Sequence, residues 1–237
     1  MLVKTKAIVL SAIKYQGKSL IVKCFTQSDG LKSYFVPSAF SGKKSNQKIA
    51  YFQPLTILEI EASHKNKGSL EHFKEIKLAT PYHSINTDIF KSTIVIFLSE
   101  MLHHSICEEE KNVTLFSFLE TALLWLDTHE ETANFHLILL LEMTKFLGFY
   151  PDTSEVNLPF FELNEGVFSS FHGISCLSDH ETFLFKKLIG LKLDSDQKIF
   201  AGTERQLLLK ILLDYYSVHL HGFKKPKSLE VLKEVFS

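Results

Sequence analysis

Residues 7–36, AIVLSAIKYQGKSLIVKCFTQSDGLKSYFV, decide the fold. Ala7 to Ile13 is rich in strand formers and ends at Tyr15-Gln16-Gly17, a turn-like break. Leu20 to Thr26 is a second such run, and Asp29-Gly30 behind it is a hairpin signal because both residues tolerate positive φ. Leu31 to Val36 returns as a third strand, stopped by Pro37. Phe52 to Ala62 alternates again, and Gly68 to Leu78 supplies a fifth strand. Five short strands with turn signals between them predict a small closed barrel over residues 1–80. The five-stranded OB barrel is the kind best known for single-strand binding, while an SH3-like barrel or a protein-binding sheet fits the same spacing.

Near Pro81 the apolar period changes from 2 to 3.6, so Ala79 to His83 is the expected boundary with a second domain, 81–237. Ile94, Phe97, Leu98, Met101 and Leu102 form the stripe of a helix starting near Asn86 or Thr87. A second helix is expected over Thr114 to Asp127. Thr132 to Leu147 is apolar on almost every side before Gly148, and Arg205 to Leu220 is its counterpart, with Thr203 and Gln206 spaced as a capping box. Ser178 and Glu181 repeat that signature, and Ser228 caps a last helix, Leu229 to Val235. Pro159 to Cys176 breaks the rhythm as an irregular hairpin. The expected class is α+β, a five-stranded OB-like barrel followed by an α-helical domain with a small inserted ribbon.

Charge is segregated along the chain. The first eighty residues hold 13 lysines against five carboxylates, whereas the remaining 157 hold 13 basic and 22 acidic side chains. Such asymmetry points to a polyanion-facing module attached to something acidic. Nearly all the positive charge is lysine, a point charge suited to phosphate; arginine, the usual reader of base edges, occurs once, at Arg205. The basic segment SAFSGKKSNQK, Ser38 to Lys48, reads as a mobile loop. Candidate phosphate contacts are Lys23, Lys32, Lys43, Lys44 and Lys48, and the rings expected to be exposed for base stacking are Tyr15 and Phe40. Tyr34 and Phe35, being adjacent on a strand, must face opposite sides, so at most one is core. The plain alternative is that these lysines only solubilise a barrel surface.

Three widely spaced cysteines, Cys24, Cys107 and Cys176, suggest neither a disulfide framework nor a ligand cluster, and fit a reducing cytoplasm. The sequence starts without a small-residue cleavage site and has no apolar run approaching the ~20 residues of a bilayer span, so a cytosolic protein is expected. Glu100 and His103 have the Glu-x-x-His spacing of di-iron bundles, but no second copy accompanies them. His219 and His221 are explained by a helix C-terminus, and Glu142 by solvent or a lysine partner. P-loop, nucleophile-elbow, dinucleotide and zinc-quartet patterns are absent from the sequence. No catalytic residue, metal or cofactor is therefore expected.

Together these segments resemble the RecO family of bacterial recombination mediators. The opening AIVLSAIKYQGKSLIVKCFTQSDGLKSYFVPSAF looks like its first three barrel strands, LLLEMTKFLGFYPD like its central helix, and HGFKKPKSLEVLKEVF like its terminal segment. The resemblance implies an OB domain on a helical domain, binding to single- and double-stranded DNA, annealing of complementary strands and no covalent catalysis. It further implies cooperation with RecR, contact with the acidic C-terminal tail of single-strand-binding protein, and indirect loading of RecA, in the nucleoid region of the cytoplasm. One departure stands out. Many members carry a four-cysteine zinc ribbon where residues 159–176 lie here, and only Cys176 remains. Phe160, Phe161, Phe168 and Phe171 are suited to replace the metal with an apolar cluster. The rival readings are an adaptor whose barrel binds an acidic peptide, and a helical metalloenzyme built on Glu100 and His103.

Overall fold

The computed structural model describes residues 1–40, 49–65, 69–106, 110–193 and 199–235. The expected basic loop therefore lies, from residue 41 to 48, outside the described residues. The chain forms two compact units, Met1–Thr128 and His129–Ser237.

The first unit is organised by β1 (Leu2–Tyr15), which pairs with two partners in turn. Leu2 to Ile8 runs antiparallel to β4 (Ile57–Ser63), and Ala7 to Tyr15 antiparallel to β2 (Ser19–Thr26). A register shift between Val9 and Ser11 separates the two halves. Such a bulge sharpens the bend that lets one strand serve both sides of a small barrel. With β3 (Gly30–Val36) and β5 (His72–Leu78) the sheet order is β3-β2-β1-β4-β5. The edges meet through a short parallel bridge: the Phe35 N–H donates to Glu71 O (2.9 Å) and the Glu71 N–H to Ser33 O (2.8 Å). This closure gives the OB-like barrel.

Inside it pack Ala7, Val9, Val22, Cys24, Tyr34 and Ile60, with the Phe73 ring stacked on Tyr34 at 4.0 Å. Tyr34 is thus the core member of its pair, and Phe35 faces outward, half-buried. Two strand boundaries differ from the sequence reading. β4 begins at Ile57, because Pro54 offers no N–H and Leu55 takes a left-handed φ of 54°, so Phe52 turns into the core instead of extending the strand. β5 begins at His72; residues 66–68 before it are outside the described ones.

Ile8, Leu10 and Phe25 are buried on the outer side of the barrel because helices cover it. These are α1 (Ile89–Ser105) and α2 (Val113–Thr128), with Phe25 against Phe116 of α2 at 5.9 Å. All five residues of the expected α1 stripe are buried. The helix starts later than expected because Asp88 is its N-cap, accepting from Phe90 N (2.8 Å) and Lys91 N (3.0 Å). The Asp127 carboxylate, at the end of α2, accepts from the backbone N–H groups of His83 (2.8 Å), Ser84 (2.8 Å) and Ile85 (3.0 Å). Asp127 thereby pins the stretch that follows β5.

The second unit is built on α3 (Phe135–Leu147) and α5 (Gly202–His219). Tyr216 ties them, its hydroxyl donating to Leu140 O at 2.7 Å. Gly148 ends α3 in the left-handed region, φ 83°. α5 begins three residues before the expected Arg205, since Glu204, not Gln206, reaches back to the Ala201 N–H (2.7 Å). α4 (Asp179–Ile189) has the Ser178–Glu181 capping box, and α6 (Leu229–Val235) closes the described residues.

The ribbon is a hairpin of β6 (Phe160–Glu162) and β7 (Val167–Ser169). Phe161 is fully buried among Phe168, Phe185 and Tyr215, with ring centroids 4.7–5.8 Å away. The expected four-ring cluster is corrected to two: Phe160 is half-buried edge-on to His172, and Phe171 is 81% exposed. His219 does more than sit at a helix end, since it stacks on Phe149 and its Nε2 donates to Leu163 O at 2.8 Å. Glu142 takes a lysine partner, Lys145, at 2.7 Å.

Candidate nucleic-acid interface

Gln16 (φ 44°) and Gly17 (φ 76°) turn the chain sharply between β1 and β2, so that Ala12 to Lys18 stands exposed as a hairpin tip. Alternation then sorts its side chains. One side of the hairpin carries Tyr15, 39% exposed, whose ring meets Phe35 edge-on at 6.3 Å; Phe35 in turn meets His72 edge-on at 6.0 Å. This row crosses from β1 over β3 to β5. The other side carries Lys14, whose ammonium lies 5.1 Å from the Phe40 ring centroid. The Phe40 N–H donates to Lys18 O at 3.2 Å, which fastens the segment after β3 to the hairpin. Beside Phe35, where β3 and β5 part, a groove of about 330 Å³ opens between Val36, Tyr51, Phe73 and Ile76. Exposed rings next to lysines are what a single-strand binder needs, since bases stack on the first and phosphates are neutralised by the second.

Carboxylates pair with four of the described lysines elsewhere on the barrel. Glu61 takes both Lys74 (2.5 Å) and Lys4 (3.4 Å), Glu75 takes Lys77 (3.0 Å), and Glu120 takes Lys6 (2.8 Å). The outer surface of β1's first half, β4 and β5 is therefore a balanced ladder, and Lys14 and Lys18 stand at its opposite end.

The structure separates the sequence-nominated residues. Tyr15 and Phe40 are exposed at the hairpin. Lys23 is half-buried opposite Ser11 and Ser33, on the face turned to α1. There, after burial itself, its charge helps hold the His103 imidazole below its usual pKa. Lys32 is 8% exposed and contributes to the environment of Asp29. Lys43, Lys44 and Lys48 lie outside the described residues. Lys14, Lys18 and His72 were not singled out from the sequence, and Phe35 was named there only as one of a pair facing opposite sides. The alternation that made one of Tyr34 and Phe35 an outward ring was the signal for Phe35.

A buried polar chain braces the far end of the barrel. The Tyr34 hydroxyl lies 2.8 Å from His64 Nε2, His64 Nδ1 lies 3.0 Å from Asp29 Oδ2, and the Ser28 hydroxyl donates to that carboxylate at 2.5 Å. Burial raises the Asp29 pKa, but hydrogen bonds from Ser28 and His64 and the charges of His64 and Lys32 outweigh it and hold the carboxyl low. Among the described residues no group of three or more His, Cys, Asp or Glu side chains is gathered as a metal ion would require. No described helix is long and apolar enough to cross a membrane.

A closed barrel of this topology, with rings and lysines at one end and a helical unit after it, defines an OB-barrel protein of α+β class. The chain belongs to the RecO family. The family models for Recombination protein O N terminal and C terminal match residues 1–82 and 86–230. Over the full length of both chains it is 74% identical to the DNA repair protein RecO of Flavobacterium psychrophilum and 69% identical to that of Flavobacterium johnsoniae. It is 38% identical to the DNA repair protein RecO of Bacteroides fragilis, again over both full lengths.

Proposed function

We propose that this chain is a DNA repair and recombination mediator that binds single- and double-stranded DNA and anneals complementary strands. In this reading it also helps load a RecA recombinase onto strands coated by single-strand-binding protein, working with RecR and engaging that protein's acidic tail. The observation that carries the reading is identity of 74% along the whole chain to a protein named for DNA repair. It acts by binding, without a covalent step, in the nucleoid region of the cytoplasm. Residues 1–80 serve as the DNA module and 81–237 as the helical one.

Lys14 and Lys18, with Lys43, Lys44 and Lys48 further along the sequence, neutralise phosphates. Tyr15 and Phe35 offer faces to bases, each stacked base contributing ~1–3 kcal/mol. Lys32, being buried, is left out of this set. Holding two strands on one positive surface lowers their mutual repulsion and favours annealing. Gel-shift and strand-annealing assays with complementary oligonucleotides test this. The wild type binds both strand forms and accelerates annealing, and Tyr15→Ala with Phe35→Ala weakens single-strand binding more than duplex binding. Absence of binding even at low salt, with capture of an acidic peptide instead, would leave the adaptor as the better account.

A further inference from the structure

The turn between α5 and α6, HGFKKPKS at residues 221–228, carries Lys224, Lys225 and Lys227 with no carboxylate in sequence between Asp214 and Glu230. Its setting makes that unusual, because residues 129–237 as a whole hold 11 basic and 15 acidic side chains. The turn is built firmly. Gly222 takes a φ of 74°, the Phe223 N–H donates to Leu220 O at 3.1 Å, and the Phe223 ring packs on Tyr216 at 5.6 Å. Pro226 is buried between two exposed lysines, so the backbone is anchored from below while Lys224 and Lys227 project into solvent. Lys225 reaches the Asp214 carboxylate at 2.7 Å, a pair in which both side chains remain substantially exposed.

From this geometry we infer that the α5–α6 turn is a second phosphate-contacting site, so that the helical unit binds the nucleic-acid backbone through its own lysines. The inference rests on the DNA-binding reading above and deepens it. Lysines carried on an anchored turn lose less freedom on meeting a phosphate than lysines on a free tail. Two backbone sites on one chain also convert the capture of a second strand or segment into an intramolecular event. The competing explanation is that these lysines only offset the carbonyls at the C-terminus of α5. That role would appear in stability and not in DNA binding.

The experiment is anisotropy of a labelled 40-nucleotide single strand over a salt series. It compares the wild type, Lys224→Ala with Lys227→Ala, and Lys224→Arg with Lys227→Arg, and Lys225 is kept so that its pair with Asp214 survives. The alanine variant lowers the slope of log affinity against log salt by ~1.4, ~0.7 for each of two phosphates, and the arginine variant keeps the wild-type slope. A wild type that binds with a slope unchanged in the alanine variant overturns the inference and leaves the barrel reading intact. A wild type that does not bind at low salt defeats the underlying reading instead. A variant that loses thermal stability with no change in slope shows the α5-capping role, and one that loses only an acidic peptide shows a protein contact; either overturns the inference.

Discussion

Asp127 and His136 show how much a single buried polar side chain carries in this protein. Burial raises the Asp127 pKa, but three backbone N–H groups and Ser84 outweigh it and hold the carboxyl below its ordinary value. A group depressed on folding stabilises the fold above its unfolded pKa, and that contribution is lost as pH falls through the folded value, here below about pH 4. Asp127→Ala leaves those N–H groups without their acceptor and should cost ~2–4 kcal/mol, measured by urea unfolding at pH 7. His136 is buried within α3, where burial first and the charge of Arg205 second lower its pKa from 6.5 to about 3. The unfolded chain therefore takes up the proton first, and stability declines between pH 6.5 and 3 by up to ~1.4 kcal/mol per pH unit. From pH 7 to 5 the wild type should lose about 2 kcal/mol more than His136→Gln. Equal losses would show that His136 is not held neutral. Neither role was legible in sequence: an aspartate at a helix end reads as unfavourable to the dipole, and a histidine in an apolar run carries no mark of its neighbours.

Elements were more legible than residues, because local periodicity carries them. The β1–β2–β3 meander follows from alternation and two turn signals, and α3 and α4 from Gly148 and the Ser178–Glu181 box. Errors arose where neighbouring residues offered equal options and a contact in the fold chose between them. Glu204 rather than Gln206 caps α5, and Phe52 enters the core rather than extending β4. The ribbon is the clearest case, since four phenylalanines looked equivalent and the fold buried two. Phe161→Ala should cost ~3–5 kcal/mol, because it empties a site walled by Phe168, Phe185 and Tyr215. Phe171→Ala should stay within ~0.5 kcal/mol. Thermal unfolding of the two variants side by side reads this difference, and comparable losses would mean the ribbon packs through both rings.

At the scale of the whole molecule, charge segregation was readable from composition, but its fine distribution was not. The lysine excess of the first eighty residues is spent partly on ion pairs along β4 and β5, which concentrates uncompensated charge toward the β1–β2 hairpin. That distribution depends on strand register, which composition does not contain. The proposed function puts the phosphate backbone at this end of the barrel. Its most direct test is anisotropy of labelled single-stranded DNA across a salt series with the wild type and with Lys14→Ala plus Lys18→Ala. Tight wild-type binding at low salt is expected, with a log–log slope lower by ~1.4 in the variant. An unchanged slope, or a wild type that never binds, would contradict it.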